Sequence, residues 1–218
     1  MIRRSAPDLV SGDSLGIDAA VRVIRAGGVV AVPTDTVYAL AVDPRSAEAV
    51  GRLFAAKGRS KGDVTPLIAA DTEQVAKVAV LSAVARQLAR RFWPGGLTVI
   101  LEAAVELPRG VVNERGGVGM RVPGHEVPRL IARRLGFPIT ASSANPTGRA
   151  PALNAEDAAE SLPGIDLVLD GGPTPLAVAS TVIDVSTNPP VLIREGAVRK
   201  VDLEHVLGAT LLPADSRQ

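Results

Sequence analysis

Short apolar runs, each closed by proline, glycine or small polar residues, most constrain what this chain can fold into. Val29 to Val32, Pro66 to Ala69, Leu97 to Leu101, Gly119 to Val122, Ile139 to Ala141, Leu167 to Leu169, Thr181 to Val185 and Val191 to Ile193 have strand length and are too short for buried helices. Between them lie segments of helical spacing. Ala19, Ala20, Val23 and Ile24 form one, stopped by Gly27 and Gly28. Ser46 to Ala56 forms the next, with Ser46 as N-cap and Gly58 as terminator. Thr72 to Val78, Ser82 to Phe92 and Val127 to Leu135 follow, the second broken by Pro94, Gly95 and Gly96 and the third ended by Gly136. Asn154, with Asp157 three residues on, opens another helix in the manner of a capping box, and Leu203 to Leu207 forms a last short one. Elements alternate in the first half and strands cluster near the end. The predicted fold class is α/β, a twisted open mixed sheet flanked by helices. The predicted division is a lead-in segment over 1–17, one main domain over 18–200, and a short helix and tail over 201–218.

The core must be built mainly from Val, Leu, Ile and Ala, because hydrophobic residues reach 46% while aromatics reach only 2%. The absence of cysteine removes thiol catalysis, disulfides and thiolate metal sites, and fits a reducing compartment. Met1 to Gly12 lacks the apolar core of a signal peptide, and no apolar run approaches a membrane span. The expected location is the cytoplasm, with no membrane contact. A formal net charge of +1 argues against a surface coated for nucleic acid, though it leaves room for a local basic groove.

Familiar catalytic devices are missing. There is no GxxxxGK[ST] loop and no GxGxxG turn. The two histidines, His125 and His205, sit in neither a GxSxG nor an HExxH context. His125 is expected to have at most a minor substrate role, and His205 to be structural or exposed. No His, Asp and Glu spacing suits a tightly bound metal, so no protein metal site is expected.

What stands out is polar chemistry at strand ends, where α/β folds place ligand sites. Thr34, Asp35 and Thr36 follow the Val29 to Val32 run; turn hydroxyls satisfying the backbone explain them as well as a site does. Lys57-Gly58-Arg59 places two cations at a helix C-terminus, where they suit the helix dipole and would equally suit a polyphosphate. Arg121-Val122-Pro123 could grip a carboxylate, and Ser142 to Asn145 could bond phosphate oxygens or a base edge. Ser180-Thr181 starts a strand, and Arg194 ends the next. Together these hydroxyls, amides and cations favour an anionic ligand with several phosphate groups.

The order of these segments resembles the YrdC family. Val32-Pro-Thr-Asp-Thr-Val-Tyr-Ala-Leu40 is similar to its PTDTVYGL signature, Lys57-Gly-Arg59 to its KxR motif, and Trp93-Pro94-Gly95 before Leu97-Thr98 to its PGPxT segment. Arg121-Val-Pro123, Ser143-Ala-Asn145, Asp170-Gly-Gly172, Ser180-Thr-Val-Ile-Asp184 and Ile193-Arg194-Glu-Gly196 complete a series covering about Ala19 to Gly196. The resemblance is to the short, single-domain form of threonylcarbamoyl-AMP synthases. It implies a large concave basic cavity holding ATP and L-threonine. By motif, Thr34, Thr36, Arg121, Ser143 and Ser180 would bind threonine, with Arg121 on its carboxylate. Lys57, Arg59, Asp63, Gly117, Asn145 and Arg194 would bind ATP, and Lys57 and Arg59 would be catalytic. The implied reaction takes bicarbonate or carbon dioxide as third substrate and magnesium carried with ATP. A separate threonylcarbamoyl transferase complex would use the product to modify tRNA.

The sequence departs from the family pattern at Ala39, where the signature has Gly, and at Ala70, where many members have His. The competing reading is a YrdC-fold RNA-binding protein in tRNA or ribosome maturation, with at least weak RNA binding and no synthase activity; near-neutral charge and few aromatics for base stacking count against it. A carbamoyl-adenylate enzyme of the hydrogenase-maturation kind is a third reading. The absence of zinc-finger and acylphosphatase-like regions argues against it.

Overall fold

The computed structural model describes residues 7–59 and 63–213. Its helices begin where small polar side chains can take up orphan N–H groups. Asp13 accepts from Leu15 and Gly16 at the start of α1 (Ser14–Arg25). Ser46 accepts from Ala49 before α2 (Ala47–Lys57), and Gly58, at φ 62°, ends that helix in the left-handed region that favours glycine. Asp71 and Ser82 cap α3 (Thr72–Ala76) and α4 (Ala83–Phe92) in the same way. His125 caps α5 (Glu126–Leu135) through Nδ1, which accepts from the Val127 N–H at 3.3 Å. At α6 (Ala155–Ser161) half of the expected capping box forms. Asn154 Oδ1 accepts from the Asp157 N–H at 2.7 Å, while the Asp157 carboxylate takes the Asn154 side-chain amide instead of its backbone N–H. α7 (Lys200–Leu207) packs on α4.

The strands are β1 (Asp8–Ser11), β2 (Val30–Val32), β3 (Ala39–Ala41), β4 (Leu67–Ile68), β5 (Leu97–Glu102), β6 (Gly117–Arg121), β7 (Ile139–Thr140), β8 (Ser142–Ser143), β9 (Leu167–Asp170), β10 (Thr181–Asp184), β11 (Val191–Arg194) and β12 (Leu212–Pro213). They form two mixed sheets where the sequence suggests one, of order β1-β9-β2-β3-β8 and β12-β11-β10-β5-β6-β4-β7. The α/β mixed class holds. The division into two arises where the chain leaves β7 at Thr140 in one sheet and enters β8 at Ser142 in the other. Thr140 Oγ1 stitches the sheets together, accepting from the Val42 N–H at 2.9 Å and donating to Leu40 O at 3.2 Å.

The period-2 pattern distributes β2 and β3 over two cores. Val30, Val32, Ala39 and Ala41 join Ile17, Ile24 and Ile131 beneath α1 and α5. Ala31, Tyr38, Leu40 and Val42 face the larger core with Leu53, Leu88 and Val99. Tyr38 is fully buried, and its hydroxyl donates to Gly172 O at 2.9 Å.

The stretch set apart as a lead-in, 1–17, supplies β1, which runs parallel to β9, and the first turn of α1. From the tail, β12 pairs with β11. Polar or very short strands such as β1, β8 and β12 carry no apolar run of their own and form because a neighbour offers them a ladder, whereas β3 lies within the apolar run Val37 to Val42, which was not among the expected strands. At the β1–α1 junction Gly16 lies against the Ser11 carbonyl, and a methyl group there would press on that oxygen. Gly16→Ala is therefore expected to destabilise the fold by about 1–3 kcal/mol, a fall in Tm of about 2–4 °C per kcal/mol, measured by thermal and urea unfolding. An unchanged midpoint would mean that the junction is not part of the cooperative unit.

Candidate active site

A cleft of about 430 Å³ opens between the two sheets. Strand alternation aims its lining. On β6, Gly117, Gly119 and Arg121 face the cleft while Val118 and Met120 enter the core. On β5, Thr98 and Ile100 face it between the buried Leu97, Val99 and Leu101. The glycines keep the space open: a Cβ on Gly119 would lie 3.1 Å from Pro66 Cβ and 3.4 Å from Thr98 Cγ2. The five-stranded sheet contributes Thr34, Thr36, Val37, Ala39, Ser142 and Ser143. Ala39 takes the place of a signature glycine without backbone strain, since Ala177 is the only non-glycine residue at positive φ among those described.

Arg121 is the most connected side chain in the cleft. Its Nε donates to Gly95 O at 2.8 Å, one terminal nitrogen to Thr36 Oγ1 at 2.7 Å, and the other to Asp35 Oδ1 at 2.5 Å. The Thr34 hydroxyl donates to Val37 O at 2.7 Å and accepts from the Thr36 and Val37 N–H groups. The polar run after β2 is thus both a satisfied turn and the seat of a buried guanidinium. Burial pulls the Arg121 pKa down, while Asp35 opposes that shift. Ser180, whose hydroxyl lies 2.9 Å from Thr98 Oγ1, lines the opposite side.

Three further cations, Lys57, Arg59 and Arg194, are held by neutral carbonyls. Arg59 donates to Val64 O at 3.1 Å, and Arg194 donates twice to Ser180 O, at 3.2 and 2.8 Å. Burial lowers both pKa values, with Asp63 opposing at Arg59 and the Arg59 charge adding to the shift at Arg194. Asp63 therefore reaches the site electrostatically and is not part of the lining. Lys57 is only 3% exposed and lies behind the lining, where its ammonium donates to the carbonyls of Ser143 and of Asn145, the latter at 2.7 Å. Burial, reinforced by Arg59, brings its pKa to about 8. Cations held by dipoles leave positive charge for a ligand to neutralise.

Asn145 lines the cleft with a fixed amide. Its Nδ2 donates to Pro146 O at 2.9 Å and Arg149 O at 2.6 Å, which leaves Oδ1 buried without a partner; Ser142 Oγ is likewise unpartnered. Asn113 holds Gly117 in place, its Oδ1 accepting the Gly117 N–H at 2.8 Å, and both residues line the cleft. Sequence reasoning missed Thr98, Asn113 and Arg149 as lining residues. Thr98 carried a signal, a polar residue inside an apolar strand run, whereas the other two lie in loops with no pattern of their own. Of the histidines, His125 is spent on the α5 cap, with burial lowering its pKa, and His205 is exposed.

The Lys57 environment makes a pH prediction. Its folded pKa lies below its unfolded value, so between pH about 8 and 10.5 the unfolded chain binds more protons and stability rises with pH. Nζ NMR should show a lysine titrating near 8, absent in Lys57→Met, and that variant should lose this stability slope in urea titrations. A Lys57 that titrates near 10.5 would contradict the buried placement.

A family model described as telomere recombination, covering the Sua5, YciO and YrdC proteins, matches residues 22–196. The threonylcarbamoyl-AMP synthase of Pyrococcus abyssi is 38% identical over 187 residues, which cover 85% of this chain and 55% of that protein. That of Bacillus subtilis is 36% identical over 204 residues, 92% of this chain and 59% of that protein. The chain thus spans little more than half the length of these curated relatives. The structure of P. abyssi Sua5 complexed with L-threonine superposes with a TM-score of 0.88 at 36% identity, covering 95% of this chain and 62% of that one. The matched residues take in the whole cleft-forming part of the fold, and by that match the chain belongs to the Sua5/YciO/YrdC family.

Proposed function

We propose that the chain is a threonylcarbamoyl-AMP synthase, a nucleotidyltransferase that joins L-threonine, bicarbonate or carbon dioxide, and ATP into L-threonylcarbamoyladenylate and diphosphate. The observation that carries this reading is the cleft that gathers Arg59, Arg121 and Arg194 with Lys57 behind them, most of their donors set against neutral carbonyls. Such an array suits a polyphosphate beside an amino-acid carboxylate. The threonine found in the P. abyssi relative supports the amino-acid half of the assignment.

In this reading the threonine carboxylate meets the N–H groups of Arg121 that Asp35, Thr36 and Gly95 leave over, with Ser180, Ser143, Thr34 and Thr36 around it. The triphosphate lies along Arg59 and Arg194, and Gly117 and Asn145 contact the nucleotide. The threonine amine takes up carbon dioxide and loses a proton to give a carbamate. A carbamate oxygen then attacks the α-phosphorus, and the bond to the bridging oxygen of the β-phosphate breaks, its electron pair leaving with diphosphate. The chain supplies position and charge rather than acid–base chemistry. Lys57 acts by holding the Ser143 to Asn145 backbone, and Asp63 by tuning Arg59.

Among the described residues no group of His, Cys, Asp and Glu could hold a metal. The unpartnered oxygens Asn145 Oδ1 and Ser142 Oγ do fit a magnesium ion brought in by the nucleotide, which would neutralise phosphate charge. The functional unit is taken as residues 18–200, with β1 and β12 from the flanking segments completing its sheets. The product would pass to a threonylcarbamoyl transferase complex acting on tRNA. The chain has no cysteine, and no helix among the described residues is long and apolar enough to cross a membrane; a cytoplasmic setting accords with both.

The test is diphosphate release from ATP with threonine and bicarbonate omitted in turn. Release that requires both supports the synthase; a folded protein that binds ATP or RNA without turnover sinks it in favour of a binding module. Arg121→Ala should raise the KM for threonine by about 10–100-fold, the loss of a charge-assisted hydrogen bond, with a much smaller change for ATP. Arg59→Ala and Arg194→Ala should show the reverse split. Equal effects on both substrates in steady-state kinetics would overturn these assignments.

A further inference from the structure

Arg149 is a cation in the cleft that differs from the rest. It lies on a turn closed by its own N–H to Pro146 O at 3.0 Å, with Gly148 at φ 81°, where only glycine turns without strain. That turn is anchored twice. Asn145 Nδ2 holds the carbonyls of Pro146 and Arg149, and the Thr147 N–H and hydroxyl both donate to Lys57 O, at 3.2 and 3.1 Å. The backbone under Arg149 is therefore fixed to the C-terminus of α2. Its side chain is not fixed: Arg149 is exposed, lines the cleft, and makes no side-chain hydrogen bond or ion pair among the described residues. Arg59, Arg121 and Arg194 are each tethered to a backbone carbonyl.

Tethered guanidinium groups suit the groups that must stay still during reaction. An untethered one at the mouth suits the group that leaves. We propose that Arg149 binds the diphosphate portion of the nucleotide, meeting the β- and γ-phosphates on entry and accompanying diphosphate out. This rests on the synthase reading. As the carbamate oxygen bonds to the α-phosphorus and the α–β bridging bond breaks, negative charge accumulates on the departing diphosphate, and a mobile arginine can follow it.

Binding of inorganic diphosphate, ATP, AMP and L-threonine should be measured by calorimetry for the wild type, Arg149→Ala and Arg149→Lys. Arg149→Ala should weaken diphosphate and ATP by about 5–20-fold, the lower range for a charge-assisted contact at an exposed site. AMP and threonine should bind as before, and Arg149→Lys should recover part of the loss. Inhibition of turnover by added diphosphate should weaken by the same factor. Unchanged diphosphate and ATP affinity in a folded Arg149→Ala protein would overturn the proposal, as would an equal loss for AMP. If the wild type binds neither ATP nor diphosphate, the synthase reading itself fails along with it.

Discussion

A buried guanidinium joins the two sheets, and the cleft takes its form around it. Arg121 ends β6 of the seven-stranded sheet, yet two of its partners, Asp35 and Thr36, follow β2 of the five-stranded one. The third, the Gly95 carbonyl, precedes β5. Removing one partner from such a pair typically costs about 3–5 kcal/mol, because the remaining charge is left buried and uncompensated. The same interaction orients the donors that remain for a ligand. Fold and site are therefore coupled through one side chain.

Around that centre the electrostatics follow a single rule. Backbone dipoles hold Lys57, Arg59, Arg121 and Arg194, and Asp35 adds a carboxylate to Arg121. A carbonyl fixes direction without cancelling charge, so Arg59 and Arg194 continue to repel each other; burial lowers the Arg194 pKa most, and the Arg59 charge adds to it. A polyanion relieves that repulsion, and the site is arranged for it before it arrives. Ser142 Oγ and Asn145 Oδ1 lie buried beside this wall without a hydrogen-bond partner.

Much of the helix pattern was legible from residues alone. Ser46 and Asn154 cap the helices they were expected to cap, and Gly58 and Gly136 end theirs, because caps are decided within a turn of chain. The longer apolar runs became strands within a residue or two of their expected bounds. Two sheets stand where one was expected: apolar runs identify strands but not their partners, and β8, in a stretch that reads as a polar turn, forms the edge of the second sheet by pairing with β3. The Thr34 to Thr36 run shows the same boundary. Its residues stood out as polar after a strand, but that they seat Arg121 depends on a contact across some eighty-five residues of chain.

Residue order by itself determined the fold class, the ends of most helices, and the identity of the polar segments at strand ends, because those depend on local conformational preference and on period. Tertiary structure alone decided that Lys57 turns behind the wall toward two carbonyls, that Arg121 already has a carboxylate, and that Arg149 stands untethered at the mouth. Each depends on which distant backbone groups come within hydrogen-bonding reach, and that is set when two sheets close on one another and not by any stretch of sequence.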